Sequence, residues 1–289
     1  FQVCLEVARV MQPLLERIKG TDGVIRALEP SAGTGRFPRA FDTLTAKPPM
    51  RWTCIELSSV AAMMLAAVRP GTEVVASSFE TWVSKNQKPF NLVVANPPFG
   101  ERGRHKGEDS NREYREDQAA AYFVRRGLDV LVPNGIAAFI IPAGYLSDKR
   151  RDKWREKVLL RHHLLAAYRL PSHVRQDNGK LRPLFPGAHN VVDLLFFQRR
   201  PGELAEVDPA DRFILDGRYF EDIPGHVLGA PDTSAQQLKI IGPPVRLPAL
   251  LARPMCEVCR VRVVTPAADD DDAEVVAAED PKVETARAL

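Results

Sequence analysis

Aromatic residues make up only 7% of this 289-residue chain, cysteines number four, and no apolar run is long enough to cross a bilayer. Each scarcity closes off a class of protein. Four cysteines in a chain this long rule out a small scaffold stapled by disulfides and suit a reducing compartment. Without about twenty consecutive apolar residues no transmembrane helix is expected, and no apolar leader opens the chain, so the expected location is cytoplasmic. Cys256-Glu-Val-Cys259 has the spacing of a metal-ligand pair, but no second Cys or His pair lies nearby, and no metal is expected. Cys54 sits in an apolar stretch and reads as a small core residue. No internal repeat divides the chain.

What is present is an ordinary apolar fraction, 45%, on a chain long enough to bury one large α/β core with something smaller appended. The formal net charge of +3 conceals a division. From Pro266 onward eight acids (Asp269–Asp272, Glu274, Glu279, Asp280 and Glu284) face two bases, Lys282 and Arg287. Residues 1–265 therefore hold 38 bases against 29 acids, a net +9. A basic body suits a polyanionic partner. The acidic tail, 266–289, is expected to be disordered.

Two stretches carry chemistry. Residues 24–29 form an apolar run ending in a carboxylate, Glu29, and Pro30-Ser31-Ala32-Gly33-Thr34-Gly35 follows before a helical pattern from Arg36 to about Leu44. Strand, glycine turn and helix make the nucleotide-cradling unit of doubly wound α/β folds, and glycine lets the backbone approach a ligand closely. A second strand, Arg51 to Ile55, ends at Glu56, 23 residues beyond Gly33, where an acid would grip a ribose diol. The other stretch is Val93-Val-Ala-Asn96-Pro97-Pro98-Phe99. There the Asn96 side-chain oxygen and the carbonyl between the prolines can accept hydrogen bonds from one exocyclic amine and aim its lone pair at an electrophile. The prolines fix φ before any substrate arrives, and Phe99 offers a face on which a base out of its duplex can stack.

Glu29-Pro-Ser-Ala-Gly-Thr-Gly35, Glu56, Ser78-Phe79 and Asn96-Pro-Pro-Phe99 resemble the ordered motifs of the class I, S-adenosylmethionine-dependent adenine-N6 DNA methyltransferases. More narrowly, Arg169-Leu-Pro-Ser172, Val191-Val-Asp-Leu-Leu-Phe-Phe197 and His226-Val-Leu-Gly229 resemble the methylase segment of large phage and mobile-element proteins that join a methylase to a helicase. The resemblance implies a Rossmann-like, seven-stranded, mostly parallel sheet with helices on both faces, over residues 1–200. It implies that Glu29, Pro30, Ser31, Ala32, Gly33 and Gly35 hold the methionine part of S-adenosylmethionine, and that Glu56 takes the ribose. Asn96 and the Pro97 carbonyl would hold the target amine, with Pro98 and Phe99 completing the wall. It further implies a DNA partner, a helicase module in the same parent protein, and a prokaryotic or phage-infected cell, in modification or anti-restriction.

Two positions depart from that pattern. Family members carry an acid just before the phenylalanine that follows the third strand, where it binds the cofactor's adenine amine; here Ser78 precedes Phe79. An uncharged acceptor costs about 1 kcal/mol of affinity, roughly fivefold. At the amino end a Thr-Pro pair is expected where Val3-Cys4 stands, and the chain begins at Phe1 rather than Met, so it reads as a piece of a longer protein or an incomplete gene product.

The remaining expectations are coarser. Gly100 to Arg112 is polar and glycine-bearing, and reads as a mobile loop whose Arg102, Arg104, Lys106 and Arg112 could meet phosphates; its His105 reads as a surface residue. A helix is expected over Gln118–Leu131, strands over Ile136–Ile141, Leu164–Leu170 and Val191–Gln198, and a second helix opening at the basic cluster Lys149–Lys157. The insertion Pro171–Asn190 is placed on the same rim as Asn96, in contact with substrate. Residues 201–265 are a weakly patterned extension without a recognition domain of useful size. Two alternatives stay open at this stage: the same site methylating an amine or amide of RNA or protein, and a degenerate, non-catalytic module that binds DNA.

Overall fold

The computed structural model describes residues 1–86, 88–185, 190–234 and 237–248. The acidic tail, the Cys256–Cys259 pair and residues 186–189 of the insertion lie outside them. Among the described residues no helix is long and apolar enough to cross a membrane, and no cluster of metal ligands forms.

The chain opens with α1 (Gln2–Ile18) and then alternates: β1 (Ile25–Glu29), α2 (Arg36–Asp42), β2 (Met50–Glu56), α3 (Ser59–Val68), β3 (Glu73–Ala76), α4 (Phe79–Lys85) and β4 (Phe90–Ala95). After a long loop come α5 (Ala119–Asp129), β5 (Leu131–Pro142), α6 (Asp152–Arg161), β6 (His162–Leu170), β7 (His173–Arg175), β8 (Leu181–Pro183) and β9 (Val192–Arg199). The order across the main sheet is β3-β2-β1-β4-β5-β9-β6, and only β9 runs against its neighbours. That is the class I methyltransferase sheet, seven strands and mostly parallel.

Alternation along each strand divides the core in two. Leu92 and Val94 of β4 face the side covered by α1, α2 and Leu65 of α3, whereas Val93 and Ala95 face the side covered by α4, α5 and α6. Both faces are sealed, so β4 is buried at every position and reads in sequence as one apolar run. Val3 and Cys4 stand in the first turn of α1 as core residues rather than at a bend. Cys54 is buried, as its apolar surroundings imply.

The insertion after β6 forms a second, four-stranded sheet, β10-β11-β7-β8, with β10 (Ala230–Pro231) and β11 (Ile240–Gly242) coming from beyond Pro201. The weakly patterned extension thus packs back on the main domain through short elements, including α7 (Arg212–Leu215) and α8 (Tyr219–Asp222). The Tyr219 hydroxyl accepts from the Ala167 backbone N–H of β6 at 2.8 Å, and the Glu6 carboxylate accepts from the Leu247 N–H at 2.9 Å. Short elements and scattered side chains make these attachments, so the stretch shows little periodicity.

The stretches behind the narrower resemblance are packing residues. Arg169 of β6 donates from Nε to Asp193 Oδ1 of β9 at 2.8 Å and lies over the Phe220 ring, while the His226 ring packs at a tilt against Tyr168. Burial raises the Asp193 carboxyl, and Arg169 opposes the rise. Arg155 leaves the Lys149–Lys157 cluster altogether: it is 1% exposed and donates to the carbonyls of Tyr145, Asp148 and Leu215. Lys149, Arg150 and Lys153 remain on the surface.

His162, at the start of β6, is buried with Nδ1 3.2 Å from the Val158 carbonyl, and burial pushes its imidazole down from 6.5 to about 4. Above pH 6.5 the ring is neutral in both the folded and unfolded states. Between 6.5 and about 4 only the unfolded chain takes up this proton, so stability falls with pH by about 1.4 kcal/mol per unit and then levels off. Urea unfolding at pH 7.5 and pH 5 should show a smaller loss for His162→Gln than for the unaltered chain. Equal losses would mean that His162 is not held neutral.

Candidate active site

The rim is built at the carboxyl ends of β1 to β4, where a parallel sheet presents its turns. Both glycines of the β1 turn have left-handed backbones, φ +53° at Gly33 and +73° at Gly35, but for different reasons. A Cβ on Gly33 would meet nothing within 4 Å, so the turn opens there onto free space. A Cβ on Gly35 would lie 2.5 Å from Leu65 Cδ1, because α3 packs directly against the start of α2. Ala32 is buried, with its N–H on the Ile55 carbonyl at 2.9 Å. Ala32 and Gly35 therefore shape the turn, while Pro30, Ser31 and Gly33 line the cavity it borders.

Glu56 closes β2 and clasps this turn. One carboxylate oxygen accepts from the Gly33 N–H at 2.7 Å and the other from the Ser58 N–H at 2.8 Å. Each carboxylate oxygen keeps a lone pair for a further donor, so the clasp leaves room for a diol. Glu29 lies beneath the turn, 3% exposed, with Oε2 lacking any hydrogen-bond partner among the described residues. Burial drives its carboxyl well above the ordinary carboxylate range, with Arg69 opposing and Glu56 adding to the rise. An unpartnered buried acceptor costs about 1–3 kcal/mol unless a ligand supplies a donor. Cys4 of α1 is pushed up to about 11, first by burial and then by the nearby Glu29 carboxylate.

Asn96 leaves the end of β4 into solvent, and its side-chain amide has no hydrogen-bond partner among the described residues. Its backbone carbonyl accepts from Ser31 Oγ at 3.1 Å, which ties the two sequence motifs together across 65 residues of chain. Pro97 is buried, Pro98 is exposed on the cavity wall, and Phe99 stands 38% exposed outside that wall. A cavity of about 440 Å³ runs from Asn96 and Pro98 past Ser31, Gly33 and Glu56 to Ser78 and Phe79, a size suited to a nucleoside-based ligand. Phe79 lines the cavity although it is almost wholly buried in a ring cluster with Trp82, Tyr122 and Phe123.

The loop after Phe99 corrects one expectation. It is pinned, and Arg102 is not available to a phosphate. Its guanidinium is 0% exposed, pairs with Glu80 at 3.1 Å, donates to the Tyr114 and Glu116 carbonyls, and lies 3.6 Å above the Tyr122 ring. Lys106 pairs with Asp117. His105 is not a free surface residue either: it lines the cavity and hydrogen-bonds Glu108 at 2.8 Å. Sequence reading missed Glu80, Arg102 as a buried anchor, and Glu108. The only signal was a run of charge in which partners cannot be told from solvated side chains.

A second cleft, about 690 Å³, opens on the other side of the β1 turn. Thr34, Arg36 and Arg39 line one wall, and Val174, Gln176, Arg182 and Leu184 of the insertion line the other. Among the described residues no acidic side chain lines it. Gly33 and its neighbour Thr34 thus face one cavity each, and the insertion lies on the rim where the sequence places it.

Residues 61–174, which include Asn96–Phe99, match the model of the Eco57I restriction-modification methylase. The chain is similar to the defense against restriction protein B of Escherichia phage P1, 32% identical over 195 residues. That is 67% of this chain but 8% of the phage protein, so the chain spans a small part of that relative's length. In structure it overlays a Listeria monocytogenes protein assigned as a class I S-adenosylmethionine-dependent methyltransferase, with a TM-score of 0.52, 14% identity, and cover of 71% of this chain and 61% of the other. A type I restriction-modification methyltransferase subunit of Streptococcus thermophilus overlays more loosely, with a TM-score of 0.49, 17% identity, and cover of 67% and 44%. The Listeria overlay agrees with the fold described above.

The two glycines of the turn should separate on substitution. Gly33→Ala meets only backbone strain, about 1–2 kcal/mol. Gly35→Ala adds the collision with Leu65 and should cost at least about 1 kcal/mol more, read as urea midpoints. Equal costs would show that α3 does not press on Gly35.

Proposed function

We propose that this chain transfers a methyl group from S-adenosylmethionine to N6 of adenine in DNA, as one part of a longer polypeptide. The observation that carries the reading is the pair of acceptors at the end of β4. Asn96 and Pro98 line a nucleoside-sized cavity with the Pro97 carbonyl between them in the chain, and Ser31 holds the Asn96 backbone carbonyl to the β1 turn. Two acceptors set by rigid prolines suit one NH₂ group, and hydrogen bonds to both its protons leave the nitrogen lone pair directed at the cavity.

The residues around the cavity fit S-adenosylmethionine. Glu29 Oε2 is a buried acceptor awaiting a donor and suits the methionine ammonium. The open space over Gly33 accepts the chain of the ligand close to backbone. Glu56 retains lone pairs for the ribose hydroxyls, and Phe79 gives an apolar edge toward β3. When bound, the cofactor supplies an activated methyl group. The protein's part is alignment: Asn96 and Pro97 hold the amine, Phe99 stacks on the base once it has left the duplex, and no strong general base is required.

DNA is the substrate we infer because the second cleft is cationic. Arg36, Arg39 and Arg182 converge there, one residue along the turn from the cofactor cavity, where phosphates flanking an extruded base would pass. The match of residues 61–174 to the restriction-modification methylase supports the same choice. A helicase module elsewhere in the parent polypeptide would present the strand already opened.

Asn96→Ala should leave S-adenosylmethionine affinity within about twofold by calorimetry and lower methyl transfer to DNA by at least about 100-fold. Unchanged turnover would remove Asn96 from the reaction. Arg36→Glu combined with Arg182→Glu should weaken DNA binding and flatten its dependence on log salt by about two, with cofactor affinity untouched. Loss of transfer to RNA or protein but not to DNA would point to a different substrate.

A further inference from the structure

The cavity follows the sheet edge in order. It begins at Asn96 after β4, passes the β1 turn and Glu56 of β2, and ends at Ser78 and Phe79 beyond β3. With the ribose at Glu56 and the reacting amine at Asn96, the purine of a nucleoside cofactor lies toward β3. Ser78 is among the polar side chains that line the cavity there, beside Ser77 and His105. Serine alone is a weak anchor, having no charge to strengthen a hydrogen bond.

Ser78 is not alone. Its hydroxyl donates to Glu108 Oε2 in a short contact, and Thr81 Oγ1 donates to the same oxygen at 2.9 Å. His105 Nδ1 lies 2.8 Å from Glu108 Oε1, and His105 itself lines the cavity. Burial would raise the Glu108 carboxyl, but donation from Ser78, Thr81 and His105 outweighs it and holds the group below the ordinary range. Glu108 belongs to the loop that follows Asn96-Pro-Pro-Phe99, thirty residues beyond Ser78.

We propose that Glu108, acting through Ser78, supplies the negative charge that reads the 6-amino group of the cofactor's adenine. With its proton committed to Glu108, Ser78 Oγ is an acceptor only. One lone pair takes the Thr81 N–H at 3.1 Å, and the other is free for the amine. An amine there donates; a carbonyl at the same ring position meets a lone pair and is rejected. Glu108 is a positioning residue. It also makes the loop that leaves the target motif part of the cofactor's base site, so the two ends of the cavity share one segment. The proposal rests on the reading of this cavity as the S-adenosylmethionine site.

The test compares binding of S-adenosylhomocysteine with that of S-inosylhomocysteine, which carries a carbonyl in place of the 6-amino group, by calorimetry on the full chain. The unaltered protein should prefer the adenine form by at least about tenfold, and Glu108→Gln should remove most of that preference while leaving weaker binding to both. Ser78→Ala, which keeps Glu108 on Thr81 and His105, should lose it as well. Placing the charge directly, by adding Ser78→Asp to Glu108→Gln, should restore the preference, which a merely structural role for Glu108 would not do. A full preference retained in Glu108→Gln overturns this proposal and leaves the methylase reading standing. Failure of the unaltered protein to bind either nucleoside at millimolar concentration overturns both.

Discussion

The rim of this molecule depends on one carboxylate. Glu56 ends β2 and spans the β1 turn, holding the N–H of Gly33 with one oxygen and that of Ser58 with the other. Hydrogen bonds to a charged acceptor are each worth about 1.5–3 kcal/mol, enough to keep a left-handed glycine turn open in the absence of ligand. The turn in turn presents Ser31, whose hydroxyl fixes the backbone of Asn96. The strand register beneath is rigid: Glu29 pairs with Cys54 on one side, and Leu28 with Val93 on the other. The glycine turn and the Asn96 backbone are therefore set by the same parallel edge.

A second constraint acts from outside the sheet. Arg102 is buried between Glu80 and the Tyr122 ring, and it gathers the carbonyls of Tyr114 and Glu116. Taking one partner from a buried ion pair costs about 3–5 kcal/mol, so the loop after Phe99 has one favoured path over the cavity. That path delivers His105 and Glu108 to the β3 end. The loop thus forms part of the cavity wall, and the cations that line the second cleft stand across the turn, on α2 and the insertion.

Much of this was legible in sequence, and the rest was hidden for identifiable reasons. The apolar run of β4 and the glycine turn announce strands and a cradle because burial on both faces and a left-handed backbone leave few residue choices. Glu56 and Asn96 could be placed because each sits at a strand end, where topology alone fixes position. Arg102 and Glu108 could not: both belong to a charged loop whose pairings run over 22 and 30 residues of chain, and nothing local marks an arginine that will be buried. The region beyond Pro201 was opaque for a related reason. Tyr219 and the segment at Leu247 attach to Ala167 and Glu6 through scattered contacts, which leave no period to read. Ala32 and Gly35 belong to the legible motif yet serve the turn's shape, since the motif records the backbone's needs along with the ligand's.

The central claim is that the acceptors at Asn96 and Pro97 serve an adenine amine in DNA. The direct measurement is incubation with tritiated S-adenosylmethionine and unmethylated DNA, followed by digestion to nucleosides and chromatography. Label in the N6-methyl derivative of deoxyadenosine is the predicted result. Label confined to another base, to RNA or to protein would contradict the claim, as would an absence of label from a preparation that binds both cofactor and DNA.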